Sequence, residues 1–259
     1  MLLSVSPFPD PPLVVAHRGA SADEPENTLP AFEAAARAGA DVIEFDLRLT
    51  ADGVPVVLHD EDLSRTTDGA GLVRDTTLAE VKALDASGGR GARQEVPTLA
   101  EALEAIGPTG AGVDLEIKSL GGPDPGPHDL LQASLAVLEA ADFPGPVLVS
   151  SFNGLTLQRC RELAPGVPTG FLSAAAIDPV SALAYVHQAG YEFLLPQVES
   201  LLEAGPAFVE ECHAAGIRLG TWTVDDEPTI EKLFGWGVDA VASNRPAVAV
   251  AVRDRALRR

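Results

Sequence analysis

Short apolar runs recur along the chain, and several end abruptly on polar or charged residues. Leu13-Val14-Val15-Ala16 leads into His17-Arg18-Gly19, and Val42-Ile43 into Glu44-Phe45-Asp46. Val56-Val57-Leu58 leads into His59-Asp60, and Val113-Asp114-Leu115 into Glu116-Ile117-Lys118. The pattern predicts strands at about 13–17, 42–47, 113–118, 147–151, 169–172, 193–196, 217–223 and 240–243. Helical stretches fall between them at about 29–38, 130–140, 155–163, 179–188, 206–215 and 227–236, with a last one at about 247–257. Alternating strand and helix implies a parallel sheet. This many units in a chain of 259 residues fit a TIM-type (β/α)8 barrel in the α/β class better than an open sheet.

One run breaks the alternation. Residues 54–58 follow the second strand after only Ala51-Asp52-Gly53. Asp-Gly is a hairpin signal, and a turn this tight forces antiparallel pairing. The hairpin brings His59 near Glu44 and Asp46. An irregular stretch follows, about 60–96, with a short helix at about 78–84. It reads as a small insertion after the second strand, the kind of excursion that serves as a lid or binding loop. Pro97-Thr98-Leu99 then opens the helix before the next barrel strand. No composition shift marks a boundary, so residues 1–259 read as a single domain.

Composition narrows the partners. A hydrophobic fraction of 46% suits a globular protein with a sizeable core, and the formal net charge is -20. That balance argues against nucleic acid, whose phosphates need Lys and Arg. An anionic substrate would need local cations, which a metal with Arg18 and Lys118 would supply. Cys160 and Cys212 offer no disulfide framework or metal motif and read as reduced thiols on helices. No apolar run is long enough to span a membrane, so stable membrane insertion is not expected. Residues 1–12 lack a basic start and are broken by prolines, a poor signal peptide, which leaves the cytoplasm as the default location.

The strand-end residues carry the candidate chemistry. Glu44 and Asp46 are two apart on a strand and share a face, and Glu116 ends the neighbouring barrel strand. Converging carboxylates repel unless a cation lies between them, and all-oxygen ligands favour Mg²⁺ or Ca²⁺. The alternative is a solvated acidic rim paired with Arg48 and Lys118. His17 and His59 are candidates for acid and base, since imidazole takes and gives protons near neutrality. Arg18 and Lys118 are the natural phosphate contacts. Asn27 or Thr28 reads as a helix N-cap, or Asn27 as a polar wall of the site, with Glu26 reaching the metal region or a substrate hydroxyl. Trp222 reads equally as pocket lining or core. His128, His187 and His213 fall at helices and receive no role. Acid/base groups, hard-metal ligands and phosphate-binding cations together suit cleavage of a phosphate ester.

These residues resemble the glycerophosphodiester phosphodiesterase family. The resemblance runs from His17-Arg18-Gly19 through Pro25-Glu26-Asn27-Thr28, Glu44-Phe45-Asp46-Leu47 and Asp52-Gly53-Val54-Pro55-Val56-Val57-Leu58-His59-Asp60. It continues through Leu63-Ser64-Arg65-Thr66-Thr67-Asp68-Gly69, Val96-Pro97-Thr98-Leu99, Leu115-Glu116-Ile117-Lys118, Thr221-Trp222-Thr223-Val224 and Gly237-Val238-Asp239-Ala240. It implies a divalent cation on Glu44, Asp46 and Glu116, an acid/base pair in His17 and His59, and phosphate contacts from Arg18 and Lys118. The implied reaction is hydrolysis of a small glycerophosphodiester to glycerol 3-phosphate and an alcohol, with the glycerol 2-hydroxyl as internal nucleophile. One departure is Asn244, where the family commonly carries aspartate. A lysophospholipase D-like or sphingomyelinase D-like substrate, favoured by apolar loops, and a barrel that binds without turnover are the alternatives. Head group, choice of metal, acid and base assignment and oligomeric state stay open at this stage.

Overall fold

The computed structural model describes residues 7–10, 12–118 and 130–258. Most of residues 1–12, and His128, therefore lie outside the described residues. The elements are β1 (Leu13–His17), α1 (Leu29–Arg37), β2 (Val42–Leu49), β3 (Pro55–Val57), α2 (Leu78–Lys82), α3 (Leu99–Ile106) and β4 (Gly112–Ile117). There follow α4 (Leu130–Ala141), β5 (Val147–Ser151), α5 (Gly154–Leu163), β6 (Thr169–Ser173), α6 (Pro179–Ala189), β7 (Phe193–Pro196) and α7 (Val198–Ala204). The chain closes with α8 (Pro206–Ala214), β8 (Arg218–Thr221), α9 (Glu227–Gly235), β9 (Ala240–Ser243) and α10 (Pro246–Ala256).

Strand order is β1-β9-β8-β7-β6-β5-β4-β2-β3, with β1 also bonded to β2. The β1–β2 pairing closes eight parallel strands into a barrel and leaves β3 outside it. Both faces of each barrel strand are covered, the inner by the barrel core and the outer by helices, which is why the strands read as near-continuous apolar runs. The shell between strands and helices is one large cluster that includes Phe32, Phe45, Ile43, Leu115 and Leu157.

β1 pairs with β2 only as far as His17 opposite Glu44. The chain then leaves the sheet through two left-handed residues, Arg18 (φ 56°) and Gly19 (φ 80°). A Cβ on Gly19 would lie 2.7 Å from the Ala31 carbonyl carbon, so only glycine lets the turn lie against α1. β1 thereby vacates the edge of β2 beyond Glu44. β3 takes that edge antiparallel, with Leu47 opposite Val57, while Leu47 pairs on its other side with Ile117 of β4. The turn rests on Gly53 (φ 81°) and on Thr50, whose hydroxyl donates to Asp52 at 2.7 Å. β2 runs two residues past its expected end because β3 supplies partners there.

Residues beyond β3 fold on their own small core of Val56, Leu58, Leu63, Val73, Val81, Ala86 and Val96. Local signals set its elements: Thr77 and Glu80 form a capping box on α2, and Thr98 and Glu101 another on α3. Helix α7 has no counterpart in the sequence reading. It is seven residues long, its N-cap Gln197 makes no side-chain cap, and a run this short shows no helical period.

Candidate active site

Inward-facing residues of the barrel enclose a cavity of about 220 Å³. Its wall reaches from strand starts (Leu13, Val42, Phe193, Ala240) to strand ends (His17, Glu116) and the first residues beyond them (Lys118, Phe152, Trp222). One side is polar, with Glu44, Asp114, Glu116 and Ser150. The other is apolar, with Leu172, Phe193, Leu195, Ala240 and Ala242.

Glu44, Asp46 and Glu116 meet at the upper end, with oxygens within 4.8 Å of one another, all three buried. Register produces this meeting: Asp46 lies opposite Glu116 across β2 and β4. Glu44 Oε1 has no hydrogen-bonding partner among the described residues, and Asp46 Oδ1 and Glu116 Oε1 are met by the Lys118 ammonium. Three buried, converging carboxylates with no nitrogen or sulfur donor among them fit a hard divalent cation. Burial, with repulsion from Asp46, pushes the Glu44 carboxyl well up and that of Glu116 to about 7. Asp46 moves the other way. Burial opposes its charge, but Lys118 and Arg18 outweigh burial and hold it well below the usual range.

Arg18 and Lys118 flank this cluster. Arg18 Nε lies 3.1 Å from Asp46, its Nη1 donates to Glu26 at 2.9 Å, and its backbone N–H donates to Glu44 at 2.8 Å. Lys118 Nζ lies 2.9 Å from Asp46 and also contacts Glu116. Both cations sit where a phosphate beside the carboxylates would meet them.

The histidines differ in their partners. His17 Nδ1 lies 2.7 Å from the side-chain oxygen of Asn244. The Asn244 amide nitrogen donates to Asp225 at 2.8 Å, so the carbonyl is what faces His17. His59 Nδ1 lies 2.5 Å from a carboxylate, Asp60, and its backbone oxygen accepts two bonds from Arg48 at 2.9 and 2.7 Å. Burial lowers both imidazoles. Arg18 adds to this at His17, and Asp46 and Asp60 oppose it at His59.

Thr28 occupies the N-cap position of α1 without a side-chain cap, its hydroxyl donating instead to Pro25 O at 2.6 Å. Asn27 donates to Asp46 at 2.8 Å, which holds that carboxylate in place. Glu26 is engaged by two arginines, Arg18 and Arg65. Trp222 lines the cavity and donates its indole N–H to Leu195 O at 2.8 Å. Asp114, missed in the sequence, lies one step below Glu116 on the same strand face and is pushed by burial to about 7. Its signal was legible, because Asp114, Glu116 and Lys118 alternate. Asn244, Arg48 and Arg65 were not legible as site residues, since each reaches the histidines or their partners from a distant stretch or through a backbone atom.

Exposed apolar residues follow two of the strand ends. Phe152 (45% exposed), Leu155 (59%), Ile177 (38%) and Val180 (58%) all follow β5 or β6 on the catalytic side. Phe152 meets Trp222 edge-on, with centroids 5.5 Å apart.

Residues 17–248 match the model of the glycerophosphoryl diester phosphodiesterase family. A glycerophosphodiester phosphodiesterase of Caldanaerobacter subterraneus is 37% identical over 246 residues, 92% of this chain and 96% of that one. One from Bacillus subtilis is 35% identical, over 92% of this chain and 85% of that one. Among solved structures, an Oleispira antarctica phosphodiesterase in complex with the product sn-glycerol-3-phosphate superposes with a TM-score of 0.85 at 35% identity, covering 94% of this chain and 97% of that one.

Proposed function

The chain belongs to the glycerophosphoryl diester phosphodiesterase family, and on that premise we propose that it hydrolyses glycerophosphodiesters to glycerol 3-phosphate and an alcohol with a divalent cation. The observation that carries this reading is the convergence of Glu44, Asp46 and Glu116 within 4.8 Å in the cavity that His17 and His59 also line. Glu44, Asp46 and Glu116 would hold the cation, which would supply charge neutralisation and polarisation of a phosphoryl oxygen.

Arg18 and Lys118 bind the phosphate oxygens and gather charge in the transition state. Asn244 presents only a carbonyl, so His17 carries its proton on Nδ1 and leaves Nε2 free. His17 is therefore the base, taking the proton of the glycerol 2-hydroxyl as its oxygen attacks phosphorus. His59 is backed by the Asp60 carboxylate, which favours imidazolium. It delivers a proton to the departing alcohol as the P–O bond breaks. Water then opens the cyclic phosphate with the two roles reversed.

The apolar rim of Phe152, Leu155, Ile177 and Val180 favours a second reading, in which the phosphodiester carries a hydrocarbon chain, as in a lysophospholipase D-like reaction. The deciding assay is release of glycerol 3-phosphate from glycerophosphocholine with added Mg²⁺ or Ca²⁺, and again after chelation. Release that stops on chelation is expected. No release from folded protein, with turnover of lysophosphatidylcholine instead, would replace the first reading with the second.

A further inference from the structure

We infer that Arg65, on the segment outside the barrel, is a positioning residue that holds the acid histidine and the phosphate-binding arginine in a single geometry. The inference rests on the acid role given above to His59. Arg65 sits in the one-turn 3-10 helix Leu63–Arg65, whose Leu63 is anchored in the small second core. Its guanidinium takes both oxygens of Glu26, Nη1 to Oε2 at 2.9 Å and Nη2 to Oε1 at 2.8 Å, while its Nε contacts Asp60. Each carboxylate has a second partner inside the site. Glu26 also accepts from Arg18 at 2.9 Å, and Asp60 meets His59 Nδ1 at 2.5 Å.

The contacts form one unbroken line: Asp46, Arg18, Glu26, Arg65, Asp60, His59. Its two ends are a metal-site carboxylate and a catalytic imidazole. The fork of a guanidinium is what allows this. It satisfies one carboxylate through both Nη atoms and still points Nε at another, which an ammonium does not do in a fixed geometry. Arg65 touches neither the cavity wall nor the carboxylate cluster, and its side chain is 45% exposed. An exposed ion pair adds little stability by itself. The effect expected of Arg65 is therefore on geometry. With Arg65 in place, Asp60 cannot swing from His59, and Glu26 cannot release Arg18 to pair more deeply with Asp46.

The arm through Asp60 has a consequence specific to the leaving group, whereas the arm through Glu26 and Arg18 acts on both esters alike. A choline alkoxide needs the proton from His59, whereas p-nitrophenolate departs without one. Arg65→Ala is therefore compared with wild type on glycerophosphocholine and on the glycerophosphoryl p-nitrophenyl ester, with thermal melts of both proteins. The expected result is a loss of kcat on the choline ester at least tenfold larger than on the nitrophenyl ester, at an unchanged melting temperature. Arg65→Lys, which keeps the charge and loses the fork, should show the same split and covers the case of an alanine variant that does not fold. Equal losses on both esters, or no loss on either, would overturn the inference. Wild-type protein that cleaved neither ester would overturn the glycerophosphodiester reading and this inference with it.

Discussion

At the scale of single residues, the site works by giving chemically similar groups different neighbours. In the proposed mechanism two imidazoles, both lowered by burial, serve as base and acid because one faces an amide carbonyl and the other a carboxylate. Replacing either histidine by alanine should lower turnover by about 10²–10⁴-fold, with circular dichroism and melting unchanged. His17 lies below its ordinary 6.5, so it stays unprotonated to lower pH than free imidazole. The acidic limb of the kcat/KM profile should accordingly lie below pH 6.5. In Asn244→Asp a carboxylate faces His17 and stabilises its imidazolium, so that limb should move up by about one unit. Gly19 shows the same dependence on position. Gly19→Ala puts a Cβ into the backbone of α1 at a left-handed φ and should cost about 1–3 kcal/mol from backbone strain alone, read as a lower melting temperature.

At the scale of elements, the antiparallel β3 carries much of the site. It fills the edge of β2 that β1 abandons, and it delivers His59 beside the carboxylates on β2. Without a vacated edge there would be no place for β3, and without the left-handed turn at Arg18 and Gly19 there would be no vacated edge. The segment after β3 then holds Arg65 on a core separate from the barrel's. Leu63 is fully buried in that core. Leu63→Ala should cost about 2–5 kcal/mol of local stability. It should also lower kcat on glycerophosphocholine while the barrel's far-ultraviolet signal persists, since the loosened segment carries Arg65 and not the metal carboxylates.

At the scale of the whole molecule, electrostatics dominates. A chain of net charge -20 gathers three buried carboxylates at the mouth of a largely apolar cavity. Without a cation, Glu116 and Asp114 titrate near 7, above their ordinary values. Such groups stabilise the fold while protonated, and that contribution is lost as pH rises through about 7. The melting temperature of chelated protein should therefore fall between pH 5 and pH 8. Added Mg²⁺ or Ca²⁺ should restore it, most at the alkaline end, because the cation binds the deprotonated carboxylates. A melting temperature at pH 8 that Mg²⁺ and Ca²⁺ both left unchanged would contradict the metal assignment independently of any activity assay. Among the described residues no helix is long and apolar enough to cross a membrane.

Much of this was legible in the chain itself. Short apolar runs located the barrel strands, four of the eight to the residue. Alternation placed Glu44 with Asp46 and Glu116 with Lys118, because strand periodicity is a local property of the backbone. Asp-Gly marked the hairpin for the same reason. What tertiary structure alone decided are relations between distant stretches. Of its two expected roles Asn27 took the one inside the site, donating to Asp46, Glu26 came to sit between two arginines, and Asn244 came to face His17 across 227 positions. The exposed apolar residues Phe152, Leu155, Ile177 and Val180 are scattered in the sequence, and only the pairing of β5 with β6 sets the two stretches that carry them side by side. A local pattern fixes which face a side chain takes, but its partner is chosen by register and closure of the whole barrel.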